Sequence, residues 1–81
     1  MSQIEKLLIR LCSEPKDLTY EEVVRIFAHF GYLENRNAEG SRVIFSKDDR
    51  RFRMHKPHPQ NIIKSYIVKE IIAYLKEKED L

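Results

Sequence analysis

Basic and titratable side chains are concentrated between Gly40 and Pro59 of this 81-residue chain. The stretch contains Gly40-Ser41-Arg42, then Arg51-Phe52-Arg53-Met54-His55, then Lys56-Pro57-His58-Pro59. Guanidinium groups bind phosphate through a planar fork of donors, and imidazoles exchange protons near neutral pH. This combination is typical of a protein that binds a polyanion, and it supplies groups for acid–base chemistry on a phosphodiester.

The charge is local, because the whole chain has a formal net charge of only +2. Residues 36–58 hold seven basic residues against three acids: Arg36, Arg42, Lys47, Arg50, Arg51, Arg53 and Lys56 against Glu39, Asp48 and Asp49. A hydrophobic content of 42% and a charged content of 35% fit one small globular domain with a single core. A local basic patch on such a domain favours a polyanionic ligand over adhesion to membranes.

Cysteine and histidine usage excludes several kinds of site. Cys12 is the single cysteine, so the chain has neither an intrachain disulfide nor a zinc site built on thiolates. It falls on the apolar face of the first helical pattern, which predicts a small buried hydrophobe. His55 and His58 lack an adjacent acid or cysteine, so we expect no metal and no small-molecule cofactor.

Without a signal-peptide charge pattern or a membrane-length apolar run, we expect a cytoplasmic protein with no membrane partner.

Hydrophobic periodicity predicts an α+β domain with the element order ααβββα. Helices are expected at about 2–13 and 19–30, the first opened by a capping box at Ser2 and ended by Pro15, the second ended by Gly31. Alternating polar and apolar residues predict antiparallel strands at about 32–36, 41–46 and 51–55. The prolines of Lys56-Pro57-His58-Pro59 predict a stiff connector. A last helix is expected from about Asn61 to Lys78, with an apolar stripe that Ile62 and Tyr66 widen.

The alternation in the second and third strands divides their side chains between two faces. If Val43, Phe45, Phe52 and Met54 face the core, the opposite face carries Arg42, Arg51, Arg53 and His55. The sequence therefore predicts a basic surface that includes one imidazole.

These features together resemble the HicA family of toxin–antitoxin toxins, which are small mRNA interferases. The resemblance covers about residues 30–75 and is carried by Gly31-Tyr32, Gly40-Ser41-Arg42-Val43-Ile44-Phe45, His55-Lys56-Pro57-His58-Pro59 and the closing amphipathic helix. It implies a fold similar to a double-stranded-RNA-binding domain, with a three-stranded antiparallel sheet packed by helices on one face. It also implies cleavage of mRNA and neutralisation by a HicB-type antitoxin protein. We expect one HicA-like domain over 1–81, with a helical extension at 1–18 and the core at 19–78.

The chain departs from the family at one position of the motif. The usual motif is Gly-Ser-His, whose histidine is held to be catalytic, and Arg42 stands there in this chain. The candidate catalytic residues are therefore Arg42, which would hold the phosphate, and His55, which would act as acid or base. The candidate RNA-binding residues are Gly40, Ser41, Arg42, Arg51, Arg53, Lys56 and His58.

Several of these residues also have a purely structural interpretation. Arg42 can be a solvated strand residue or a contact for an acidic antitoxin surface. His58 can bond backbone carbonyls on its proline-rich connector, and Ser41 can serve only to let the chain turn beside Gly40. His29 suits the C-terminal end of a helix and is given no catalytic role.

Three classes of function follow from the sequence. In the first, the chain binds mRNA and cleaves it by metal-independent transesterification, which makes it an endoribonuclease inhibited by a cognate antitoxin. In the second, it is a non-catalytic module of the same fold that binds RNA or an acidic protein partner. In the third, it is a pure interaction domain that recruits a protein through its exposed sheet face or edge strand.

Overall fold

The computed structural model describes residues 3–36, 42–57 and 60–81 of the chain. The helices are α1, Gln3–Cys12, α2, Tyr20–His29, and α3, Ser65–Glu77. The strands are β1, Leu33–Arg36, β2, Arg42–Lys47, and β3, Arg50–His55. The predicted order ααβββα is confirmed. Several predicted features lie outside the described residues: the Ser2 capping box, part of the turn at 35–40, and Gly40, Ser41, His58 and Pro59.

The three strands form one antiparallel sheet in the order β1-β2-β3. A two-residue turn, Asp48-Asp49, joins β2 to β3, and Asp48 has a left-handed backbone with φ of 54°. This turn pairs Lys47 with Arg50 and thereby fixes the register along the hairpin, with Phe45 opposite Phe52.

The core lies between one face of the sheet and the helices α2 and α3. Four sheet residues are buried, as the alternation predicts: Val43, Phe45, Phe52 and Met54. The ring of Phe27 in α2 stacks on Phe45, with 4.4 Å between ring centroids, and lies 5.4 Å from Phe52. Tyr74 of α3 meets Phe52 edge-on at 5.2 Å. Helices on one face of a three-stranded antiparallel sheet give the expected double-stranded-RNA-binding-domain-like class.

Gly31 ends α2 and turns the chain into β1. Its φ of +90° is a left-handed conformation that side chains with a Cβ rarely adopt. The amide of Tyr32 then donates to the carbonyl of Phe27 over 2.9 Å, which closes the helix end.

Helix α1 is joined to α2 through Arg10. Its Nε donates to Glu22 Oε2 over 2.9 Å, and its Nη2 donates to Asp17 Oδ1 over 2.9 Å. Glu22 also completes a capping box, because its side chain accepts from the Thr19 amide while Thr19 Oγ1 accepts from the Glu22 amide. Leu11 is the buried residue of α1. The predicted burial of Cys12 is wrong: it is exposed, because its position falls beside the stripe that ends in Leu11.

The last helix begins four residues later than predicted. Residues 61–63 are extended and pair with the start of α2: the Ile63 amide donates to the Leu18 carbonyl over 2.7 Å, and Thr19 forms an isolated antiparallel bridge with Ile62. These bonds hold the segment out of the helix, so Ile63 enters the core from an extended backbone. Tyr66, predicted to widen the apolar stripe, is instead 59% exposed.

The C-terminal end of α3 is tied to the hairpin by Asp80. The Tyr32 hydroxyl donates to Asp80 Oδ2 over 2.9 Å, and Arg50 Nη1 lies 3.5 Å from Asp80 Oδ1. Burial raises the pKa of Tyr32 above its usual range, and the neighbouring Tyr74 hydroxyl and Asp80 carboxylate raise it further. Tyr32 therefore stays a hydroxyl donor at all ordinary pH values. Across residues 3–36, 42–57 and 60–81, no helix has the length and apolar character needed to cross a membrane.

The Arg10–Glu22 pair predicts a pH-dependent stability. Partial burial opposes ionisation of Glu22, but hydrogen bonds from Arg10 and Thr19 outweigh it and lower its pKa below the ordinary value. Its contribution is therefore present above the ordinary glutamate pKa of about 4.3 and lost as the pH falls through the lower folded value. Glu22→Gln should reduce the free energy of unfolding at pH 7 by about 1–2 kcal/mol.

Urea denaturation measured from pH 7 to pH 3 checks this expectation. The gap between wild type and Glu22→Gln should narrow as the pH falls below the ordinary glutamate pKa, and it should close below the lower pKa of folded Glu22. Glu70→Gln is the matched control, because Glu70 is exposed in the middle of α3. A gap of equal size at both pH extremes would show that the charge of Glu22 contributes nothing.

Candidate functional site

The sheet face opposite the helices carries the predicted basic residues. Arg42 on β2 and Arg51, Arg53 and His55 on β3 are all exposed, while the residues that alternate with them are buried. Alternate residues of a strand lie about 6.8 Å apart. β3 therefore presents a row of two guanidinium groups and one imidazole along one edge of the sheet. We call this surface, formed by Arg42, Arg51, Arg53 and His55, the basic face.

Arg42 and His55 are directly opposite each other in the β2–β3 register. Side chains at opposed positions on one face have Cβ atoms about 4.5–5.5 Å apart. The next pair along this face is Ile44 with Arg53. A surface hollow of about 450 Å³ is lined by these four residues and by Met54. The hollow therefore brings two guanidinium groups and one imidazole to the same place on the sheet.

The arginines of the basic face differ from the other cations of the hairpin. Lys47 and Arg50 are directed to the helix side, where both approach Asp80. In the described part of the chain, no carboxylate is within ion-pair distance of Arg42, Arg51 or Arg53. These three cations remain available to an anionic ligand.

The remaining part of the same face is uncharged. Leu33 and Asn35 on β1 lie beside Ser46 and Ile44 on β2, and Asn35 Nδ2 donates to Ser46 Oγ over 3.4 Å. Leu33 is 71% exposed. The positive potential of the face is thus concentrated on β3 and on the first residue of β2.

Lys56 does not share the basic face. Its Nζ lies 5.3 Å from the centroid of the buried Tyr20 ring, on the helix side of the sheet. Lys56 meets His55 at an adjoining hollow, which both residues line. That hollow also includes Lys64 and Tyr66, which sequence reasoning did not select. The start of α3 at Ser65 places them there.

Three predicted RNA-binding residues, Gly40, Ser41 and His58, lie outside the described residues. His29 is exposed in the last turn of α2 and packs edge-on against Phe30, with 5.0 Å between ring centroids. That position suits the helix dipole. No cluster of three or more His, Cys, Asp or Glu that could hold a metal ion occurs among residues 3–36, 42–57 and 60–81.

Comparison with known proteins gives the family. A sequence profile described as the HicA toxin of bacterial toxin–antitoxin systems matches residues 20–77. The chain belongs to the HicA toxin family. No curated protein and no solved structure shows a significant match. The matched segment runs from the first residue of α2 to the last residue of α3, so α1 lies outside it. Membership of the family implies a toxin role with an antitoxin as partner.

The opposition of Arg42 and His55 can be tested by cross-linking in this HicA-family chain. In a Cys12→Ser background, Arg42→Cys with His55→Cys should form a disulfide on mild oxidation, because directly opposed residues have Cα atoms within the range a disulfide spans. Titration of free thiols would show the loss of both cysteines.

Arg42→Cys with Arg51→Cys is the matched control. Arg51 is opposite Ser46, four residues along the strand from Arg42, and this separation is about 13 Å. The control should keep both thiols. Equal oxidation of the two double variants would contradict the register.

Proposed function

We propose that this HicA-family toxin binds mRNA and cleaves it as a metal-independent endoribonuclease, and that a HicB-type antitoxin protein inhibits it. The observation that carries the proposal is the Arg42–His55 pair, which shares a hollow with Arg53 on the basic face. We further propose a cytoplasmic location, where mRNA is available, and one domain over 1–81 in which 1–18 is a helical extension of the core at 19–78.

The proposed reaction is an internal transesterification. His55 removes the proton of a ribose 2′-hydroxyl, and the oxygen attacks the adjacent phosphorus. The bond from phosphorus to the 5′-oxygen breaks, which leaves a 2′,3′-cyclic phosphate on one fragment and a 5′-hydroxyl on the other. The leaving oxygen takes its proton from water or from a second acid, for which His58 is the candidate in the sequence.

Arg42 and Arg53 have an electrostatic role in this proposal. The attack concentrates negative charge on the non-bridging phosphate oxygens, and guanidinium groups next to the phosphate stabilise that charge. Arg42 cannot act as a base, because a guanidinium does not lose its proton near neutral pH. Proton transfer on the described part of the basic face therefore falls to His55.

One observation favours a second function, a module that binds RNA or an acidic protein partner without cleaving it. His55 is the one imidazole on the described part of the basic face, and the resemblance described above implies that Arg42 stands where the family motif has histidine. A face with strong phosphate binding and a single proton-transfer group suits binding better than two-step acid–base chemistry.

Cleavage of an end-labelled single-stranded mRNA in EDTA tests the catalytic proposal. The wild type should produce fragments that end in a 2′,3′-cyclic phosphate. His55→Ala should lower the cleavage rate by about 10²–10⁴-fold, because it removes the general acid–base group. Arg42→Lys keeps the charge and loses the bidentate fork, so it should retain binding and cleave more slowly.

Arg42→His distinguishes the two functions, because it restores the family's Gly-Ser-His motif on the same backbone. If the wild type binds RNA without cleaving it and Arg42→His cleaves, the natural chain is the binding module. If His55→Ala cleaves as fast as the wild type, the assignment of His55 is wrong.

Phosphate binding by the arginine row predicts a salt dependence. Arg51→Gln and Arg53→Gln should each weaken binding to single-stranded RNA and reduce the slope of log K against log salt by about 0.7. Arg25→Gln removes the same charge from an exposed position on α2 and should leave the slope unchanged. If Arg51→Gln and Arg53→Gln keep the wild-type slope, as Arg25→Gln should, the basic face is excluded as the RNA-binding surface.

A further inference from the structure

A second hollow adjoins the basic face next to His55. It has a volume of about 200 Å³ and is lined by His55, Lys56, Pro57, Lys64, Tyr66 and Ile67, with Ile63 at its base. Its walls are therefore one aromatic ring, aliphatic side chains and cations. We call it the Tyr66 hollow.

Tyr66 differs from the other tyrosines of the chain in its exposure. Tyr20 and Tyr32 are buried, and Tyr74 packs against Phe27 and Phe52 in the core. Tyr66, in contrast, is 59% exposed in the first turn of α3. Its ring thus adds little to the core, and it is placed where a flat ligand can contact it.

A backbone hydrogen bond anchors one wall of the Tyr66 hollow. Ile63 is buried, and its amide donates to the Leu18 carbonyl over 2.7 Å. On the other wall, Lys56 Nζ makes a cation–π contact with the Tyr20 ring at 5.3 Å from its centroid. The hollow is therefore formed before a ligand arrives, and binding costs little ordering of the chain.

Two observations indicate what occupies the Tyr66 hollow. It adjoins the hollow of Arg42 and Arg53, because His55 lines both. Among the described residues, the two hollows are lined by no carboxylate, and five of the lining side chains are basic: Arg42, Arg53, His55, Lys56 and Lys64. A ligand matches this arrangement if one covalent chain carries both negative charge and a flat ring with apolar faces.

We propose that the Tyr66 hollow binds one unpaired nucleobase, stacked on Tyr66, of the RNA strand whose phosphate lies between Arg42 and His55. The inference rests on the proposed function and specifies its substrate as single-stranded RNA. A base in an A-form duplex is stacked on its neighbours and cannot enter the hollow, whereas an unpaired base can leave the stack. Any base can stack on one aromatic ring. The site therefore distinguishes single-stranded from double-stranded RNA and does not distinguish one base from another.

Tryptophan fluorescence provides a direct test, because the chain contains no tryptophan. Tyr66→Trp introduces a single reporter in the hollow. The probe is a ten-nucleotide RNA of mixed sequence with 2′-O-methyl riboses, which cannot undergo transesterification, used as a single strand and as a duplex. The single strand should quench the indole by stacking, and the duplex should not.

Affinity measured by fluorescence anisotropy of the same labelled oligonucleotides supplies the second readout. Tyr66→Ala should weaken single-strand binding by about 5- to 150-fold, the loss of one stacked base, and leave the salt slope and duplex binding unchanged. Tyr66→Phe keeps the ring and should bind like the wild type. Ile9→Ala removes an exposed apolar side chain from α1 and controls for general surface effects.

The outcomes separate this inference from the proposed function. If Arg53→Gln weakens binding and Tyr66→Ala does not, the nucleobase site is wrong and the RNA-binding face stands. If Tyr66→Ala weakens single-strand and duplex binding equally, the site does not select unpaired bases and the inference is overturned. If the wild type binds neither oligonucleotide, the proposed function fails and the inference fails with it.

Discussion

The stacking of Phe27 on Phe45 is the contact on which the rest of the structure depends. It fixes which face of β2 meets the helices, and the strand pairing then fixes the same choice for Phe52 on β3. Because side chains alternate along a strand, burial of these rings sends Arg42, Arg53 and His55 to the other face. A shift of register by one residue would bury the arginines, at a free-energy cost that the small core could not offset. The packing of the core therefore also determines on which face of the sheet the candidate site lies.

The same constraint divides the charge of the hairpin between two faces. Lys47 and Arg50 point to the helix side and approach Asp80, which anchors the end of α3. Asp80 also accepts from Tyr32, which follows Gly31 at the end of α2. These cations help to hold the domain together. The arginines of the basic face have no such partner among the described residues, so their charge is available to a ligand. A net charge of +2 therefore coexists with a concentrated basic surface.

Periodicity was sufficient to predict the strands and the two faces, because alternation depends only on local backbone geometry and on which residues are apolar. It could not predict the start of α3 at Ser65. Residues 61–63 could continue the helix, but they bond to Leu18 and Tyr20, some forty residues earlier in the chain. The same long-range bonds place Lys64 and Tyr66 beside His55, so the Tyr66 hollow had no signal in the sequence. The predicted burial of Cys12 was wrong because its position next to Leu11 lies at the margin of the apolar stripe. At that margin, a small rotation about the helix axis decides whether a side chain is exposed.

The pairing of β2 with β3 decides what the Arg42–His55 pair can do. His55 on β3 lies directly opposite Arg42 on β2, and both side chains are exposed on the face away from the helices. Opposed side chains on one face have Cβ atoms about 5 Å apart. Because both side chains are long enough to span that separation, one phosphodiester can contact both groups under the proposed function. In that proposal Arg42 supplies a phosphate-binding group from β2, and His55 supplies an imidazole from the neighbouring strand.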